Sequence, residues 1–154
     1  MENHEKWLNV AIEMATESVR QGGGPYASIV VKDGTVIGTG TNRVHLDNDP
    51  SAHAELLAIR EACSKLGTVD LSDCVLYASG EPCPMCLGAA YWSTVGHIYY
   101  ACGKSEAKEI VGSASPVENF FSDQKKVPED RLIPFTHLRT GKELEPFKAF
   151  ISLD

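Results

Sequence analysis

The fold is decided by LYASGEPCPMCLGAAYW, residues 76–92. Residues 74–79 (CVLYAS) form a short apolar run with strand composition. Glu81-Pro82 turns the chain, and Pro84 suits the first position of a helix, where a missing N–H costs nothing. Cys83 then opens that helix and Cys86 follows one turn on. Residues 97–101 (HIYYA) make the next strand. A strand, a helix and a strand in that order imply a right-handed βαβ unit with a parallel pair.

Upstream lies NDPSAHAELLAIREAC, residues 48–63. Pro50-Ser51 opens a second helix, with Ser51 as its expected cap, and Gly67 ends it. His53 and Glu55 fall in its first turn. Ala54, Leu57, Ala58, Ala62 and Leu66 supply a face for a sheet.

The remaining elements fit the same α/β class. Residues 3–21 are amphipathic at helical spacing, with Trp7, Leu8, Ala11, Ile12, Ala15 and Val19 on one side, and Gly22-Gly23-Gly24-Pro25 stops them. Residues 26–32 and 35–41 read as two strands joined by Asp33-Gly34, a strong hairpin signal. Both are largely apolar, so both are expected to be covered on two faces. Residues 41–49 are polar and turn-like. Asn42 could turn its amide to a cleft or bond its own backbone. Beyond Gly103, residues 105–111 read as a helix, 112–126 as a loop or short irregular helix and 133–138 as a last strand. Residues 142–153 read as a helix interrupted by Pro146. The whole chain reads as one domain, residues 1–154, without repeats or linkers.

The chemistry comes from His53-Ala54-Glu55 and Pro82-Cys83-Pro84-Met85-Cys86 taken together. Cysteines at i and i+3 of a helical turn point the same way and can share one metal. With His53 they make three ligands for zinc. A catalytic zinc keeps its fourth position open, whereas a structural zinc closes it with a fourth side chain. Cys63, Cys74, Cys102, His45 and His97 could each be that fourth ligand, but none has paired spacing. They read instead as packing residues, as do His4 and His137. Both helix N-termini are expected to aim at the metal, where their partial positive charge favours thiolate. Glu55 lies two residues past His53. The geometry that turns His53 to the metal turns Glu55 aside, where it can shuttle protons for an attacking water.

Composition narrows the choice. The chain has 154 residues and a formal net charge of −7. That balance speaks against nucleic-acid backbone binding, which needs a basic footprint, and favours a small uncharged substrate. No stretch suits a membrane span or a signal peptide, so a cytoplasmic location is expected. Five cysteines, an odd number, do not suggest a disulfide framework.

His-x-Glu followed by Pro-Cys-x-x-Cys resembles the signature of the zinc nucleobase and nucleoside deaminases. The stretches 23–26, 30–34, 48–63 and 76–92 look like those of the bacterial guanine deaminases of the cytidine-deaminase fold. The resemblance implies a three-layer α/β/α fold with a five-stranded mixed sheet, a homodimer, and hydrolytic loss of ammonia from an amino-substituted heterocycle. It also implies that His53, Cys83 and Cys86 bind zinc and that Glu55 is the proton shuttle. Asn42 and the Ala54 backbone N–H would hydrogen-bond the base, and Tyr26 would be a stacking wall. Trp92 would contact substrate or anchor the core or a dimer interface. Three features depart from that family. Residues 110–115 replace its usual Gly-Phe-Asp-Asp, the chain stops at Leu153-Asp154 before its usual aromatic tail, and Gly80 stands where it often has cysteine. Guanine is the first expectation for substrate. Another aminopurine, cytosine, isocytosine, an aminotriazine and a nucleoside stay open, as does the adenosine of a tRNA. A scaffold with a purely structural zinc is the reading from another class.

Overall fold

The computed structural model describes residues 3–112 and 115–153. Two compact units divide them, Met1–Ser115 and Pro116–Asp154.

The first unit opens with α1 (His4–Arg20), whose Asn3 cap accepts a hydrogen bond from the Lys6 N–H at 3.0 Å. The hairpin follows: β1 (Ala27–Lys32) and β2 (Thr35–Thr41) pair antiparallel. Asp33 and Gly34, at φ 48° and 72°, both take the left-handed conformation that a two-residue type I′ turn needs. A register shift between Val30 and Val31 marks a bulge. A single helical turn, α2 (Val44–Asp47), then leads to α3 (Ala54–Leu66). Next come β3 (Val75–Gly80), α4 (Pro84–Trp92), β4 (His97–Cys102) and α5 (Lys104–Val111).

The sheet order is β2-β1-β3-β4, with β1 antiparallel to β3 and β3 parallel to β4. The parallel pair across α4 is as the sequence implies. Side-chain alternation along β1 builds three layers. Ile29 and Val31 join Tyr77 in a core with Trp7, Leu8 and Met14 of α1. Val30 joins Leu76 in a core with Ala58, Ile59 and Ala62 of α3 and Ala90 of α4. His4 stacks on Tyr99 and its Nδ1 lies 2.8 Å from the Tyr77 hydroxyl, a packing role.

Several sequence expectations change. Among the described residues the sheet has four strands, not five. Residues 133–138 form no strand; Pro134, the second residue of the run, removes a ladder donor. β2 is an edge strand and only partly covered. Ser51 does not cap α3. Its N–H and hydroxyl both donate to Asp49 Oδ1, at 2.8 and 2.7 Å, and His53 takes the cap position instead.

The second unit holds α6 (Phe120–Asp123), a 3₁₀ turn (Pro128–Asp130) and α7 (Glu145–Ile151). Pro146 lies in the first turn of α7 and does not interrupt it. No described residue of this unit is buried, and Phe121, Leu132, Ile133, Leu138, Phe147, Phe150 and Ile151 are all exposed.

Candidate metal centre and active site

Two helix starts meet at one point. His53 is the cap residue of α3 and Cys83 that of α4, both in extended conformation. Neither side chain makes a capping hydrogen bond. Each is instead turned to a shared centre with Cys86. His53 Nδ1 lies 3.5 Å from Cys83 Sγ and 3.6 Å from Cys86 Sγ, and all three ligand atoms lie within 4.8 Å of one another. Zinc–sulfur and zinc–nitrogen bonds of about 2.3 and 2.0 Å at tetrahedral angles require N···S separations of about 3.5 Å. The donor set and its spacing therefore fit zinc.

The electrostatics suit a metal ligand set. Cys83 is held down at about 4 by the hydrogen bond from Cys86, against the penalty of burial, and by His53. Cys86 is pushed well above the ordinary thiol value by the neighbouring Cys83, by burial and by Glu55. His53 is raised, chiefly by its bond to Cys83.

Glu55 is buried, 5% exposed, and stands in the first turn of α3 beside this centre. Its Oε1 accepts a hydrogen bond from Ser28 Oγ at 3.0 Å. Sequence reasoning missed Ser28. The available signal was a lone hydroxyl in the apolar run Ala27-Ser28-Ile29-Val30-Val31.

Asn42 follows β2 directly. Its Oδ1 accepts from the Val44 N–H at 3.2 Å, so the amide is fixed with Nδ2 as its available donor. Its backbone is tied to Gly24 at 3.0 Å and to Tyr26 at 2.9 Å. The turn reading and the cleft reading of Asn42 are thus compatible. Tyr26 is half-buried, and its ring edge lies against Gly80, where a methyl group would come within 2.9 Å of Cδ1 and Cε1. Ala54 is fully buried at the first position of α3. Trp92 is different. It is 89% exposed at the last position of α4, about 9 Å along the helix axis beyond Cys86. Cys74 is buried and Cys63 and Cys102 are half-buried, as packing residues. No helix among the described residues is long and apolar enough to cross a membrane.

A four-stranded α/β/α layer carrying a His/Cys/Cys centre with a buried glutamate beside it defines a class of zinc hydrolases. The pattern of the cytidine and deoxycytidylate deaminase zinc-binding region matches residues 1–102, and the chain belongs to this family of zinc-dependent aminohydrolases. It is 44% identical to guanine deaminase of Bacillus subtilis over 149 residues, covering 96% of this chain and 94% of that protein. The crystal structure of Bacillus subtilis guanine deaminase superposes with a TM-score of 0.91 at 43% identity, over 98% of this chain and 95% of that one. The tRNA-specific adenosine deaminase of Aquifex aeolicus is 40% identical, over 63% of this chain and 64% of that protein.

Proposed function

We propose that the chain hydrolyses a free amino-substituted nucleobase, guanine first among them, to the oxo base and ammonia. One observation carries the choice of substrate class. Likeness to a guanine deaminase covers 96% of this chain and 94% of that protein at 44% identity, whereas likeness to the tRNA deaminase covers 63% and 64% at 40%. The net charge of −7 supports the same choice, because an anticodon loop needs a basic surface.

His53 Nδ1, Cys83 Sγ and Cys86 Sγ would hold the zinc. When bound, zinc supplies a Lewis acid that activates the attacking water. Glu55 takes one proton of that water on its carboxylate and passes it to a ring nitrogen, while the water oxygen bonds to the ring carbon. Glu55 then takes the second proton, from the added hydroxyl, and gives it to the amino group; the C–N bond breaks, the oxygen becomes the carbonyl and ammonia leaves. Asn42 donates from Nδ2 to an acceptor on the base. The Ala54 N–H, at the positive end of α3, donates to a carbonyl oxygen. Tyr26 offers its ring as a wall for a flat heterocycle.

The partner proposal is a second copy of this chain. Tyr91 and Trp92 are 82% and 89% exposed on α4, and the second unit exposes Phe121, Leu132, Ile133, Phe147 and Phe150. Apolar surface of that extent needs a cover. A cytoplasmic location is proposed with it.

The test is ammonia release from free bases, nucleosides and aminotriazines, with Glu55→Gln as control. Guanine is expected to be the best substrate and Glu55→Gln inactive. A preference for nucleosides, or salt-sensitive tRNA retention, refutes the free-base reading. Undiminished ammonia release by Glu55→Gln refutes the role of Glu55.

A further inference from the structure

Strand β1 is buried from Ala27 to Val31, and only one of those five side chains is polar. That residue is Ser28, 0% exposed. It lies on the face of β1 shared with Val30, the face that meets α3. A position there that served packing alone would carry an apolar side chain, as its neighbours do. A buried hydroxyl loses its hydration and must be repaid by a partner. Ser28 Oγ donates to Glu55 Oε1 at 3.0 Å, in a site where Glu55 itself is almost closed from water.

We propose that Ser28 is a positioning residue for Glu55. It sits on a rigid central strand, whereas Glu55 sits on a helix end with three rotatable bonds. The hydroxyl clamps Oε1 and fixes the plane of the carboxylate. Positioned proton carriers lose rate steeply when their geometry loosens.

The proposal rests on the reading of Glu55 as proton carrier, and the experiment separates the two. Ser28→Ala, Ser28→Thr and Glu55→Gln are loaded with zinc and assayed on guanine. Ser28→Ala is expected to lower kcat about tenfold or more, the equivalent of one charged hydrogen bond. KM is expected to stay within about twofold and zinc at one per chain, since neither the base contacts nor the ligands are touched. Ser28→Thr keeps the hydroxyl and is expected to restore most of kcat. A readout independent of turnover is a double-mutant cycle on urea unfolding of the zinc-loaded protein with Ser28→Ala and Glu55→Ala. Each single change strands the other polar group, so the pair is expected to be non-additive by several-fold in the unfolding constant. If Ser28→Ala keeps kcat within about twofold while Glu55→Gln is inactive, the positioning role is overturned and the role of Glu55 stands. If Glu55→Gln is active, both fall. If kcat and zinc content drop together in Ser28→Ala, or the cycle is additive, Ser28 is structural and the proposal fails.

Discussion

Replacing Gly40 with alanine tests how the metal centre is held. Gly38 and Gly40 lie on the same face of β2, and α3 comes down on both. A methyl group on Gly40 would drive into the Ala54 carbonyl oxygen and lie 2.8 Å from the Ala58 nitrogen and 3.0 Å from Leu57 Cβ. On Gly38 it would meet the Ala58 carbonyl oxygen and lie 2.9 Å from both Cβ and the nitrogen of Ala62. The obstacles include helix backbone, so no rotamer change relieves them. Overpacking of this kind costs about 1–3 kcal/mol, a large share of the roughly 5–15 kcal/mol that stabilises a domain. Both variants should lower the unfolding midpoint by similar amounts. Their effects on zinc should differ. Gly40 presses on the first turn of α3, next to His53 and Glu55, whereas Gly38 presses on its middle. Metal sites tolerate ligand displacements of about 0.2 Å, and ordinary contact at Gly40 requires a shift of about 0.5 Å or more at that turn. Gly40→Ala should therefore lose zinc to a competing chelator at about tenfold lower chelator concentration than the parent, and Gly38→Ala should stay much closer to the parent. Urea unfolding and chelator titration of the same samples measure both effects. Equal zinc loss in the two variants, or full zinc affinity in Gly40→Ala, would refute the idea that contact with β2 sets the position of His53.

The thiols give a further test. With zinc removed, Cys83 is held near 4 and is a thiolate at pH 6, whereas burial raises Cys63 and pushes Cys74 up to about 11. Alkylation at pH 6 after chelation, read by mass spectrometry, should mark Cys83 and spare Cys74, and zinc should protect Cys83. Labelling of Cys74 at a comparable rate would contradict this ordering. Gly80→Ala should displace the Tyr26 ring, because the new methyl would sit 2.9 Å from its edge. KM for the base should rise several-fold at full zinc occupancy, and an unchanged KM would remove Tyr26 from the substrate wall.

The elements that position the site were legible because each carries its own local signal. Asp33-Gly34 allows one kind of turn, Pro84 one kind of helix start, and Cys83 and Cys86 one shared direction. The errors lie where a distant or competing group decides. Ser51 has the right side chain for a cap, but Asp49 accepts both its donors first, and His53 becomes the cap residue. Residues 133–138 have strand composition, yet Pro134 sits among them. The lone hydroxyl of Ser28 gains its meaning only beside Glu55, 27 positions away and on another layer. The stretch 110–115 carries the departure from the guanine deaminase pattern. Ser113 and Ala114 within it lie outside the described residues.

The misplaced cap at residues 51–53 bears on how the centre works. A helix start normally satisfies its own free N–H groups with a capping side chain. At α3 and α4 the cap residues are His53 and Cys83, and neither caps. Their side chains are committed to the metal centre instead. The N-terminal ends of both helices meet at this centre, and their positive ends favour a thiolate, a carboxylate and a polarised base there. Local stability is given up at both helix starts. It is recovered nearby by the Asp49–Ser51 turn, by the close seat of α3 on Gly38 and Gly40, and by the bond from Ser28 to Glu55. The supports lie one layer away from the chemistry. Changing a support should therefore alter zinc affinity or kcat without changing which atoms react.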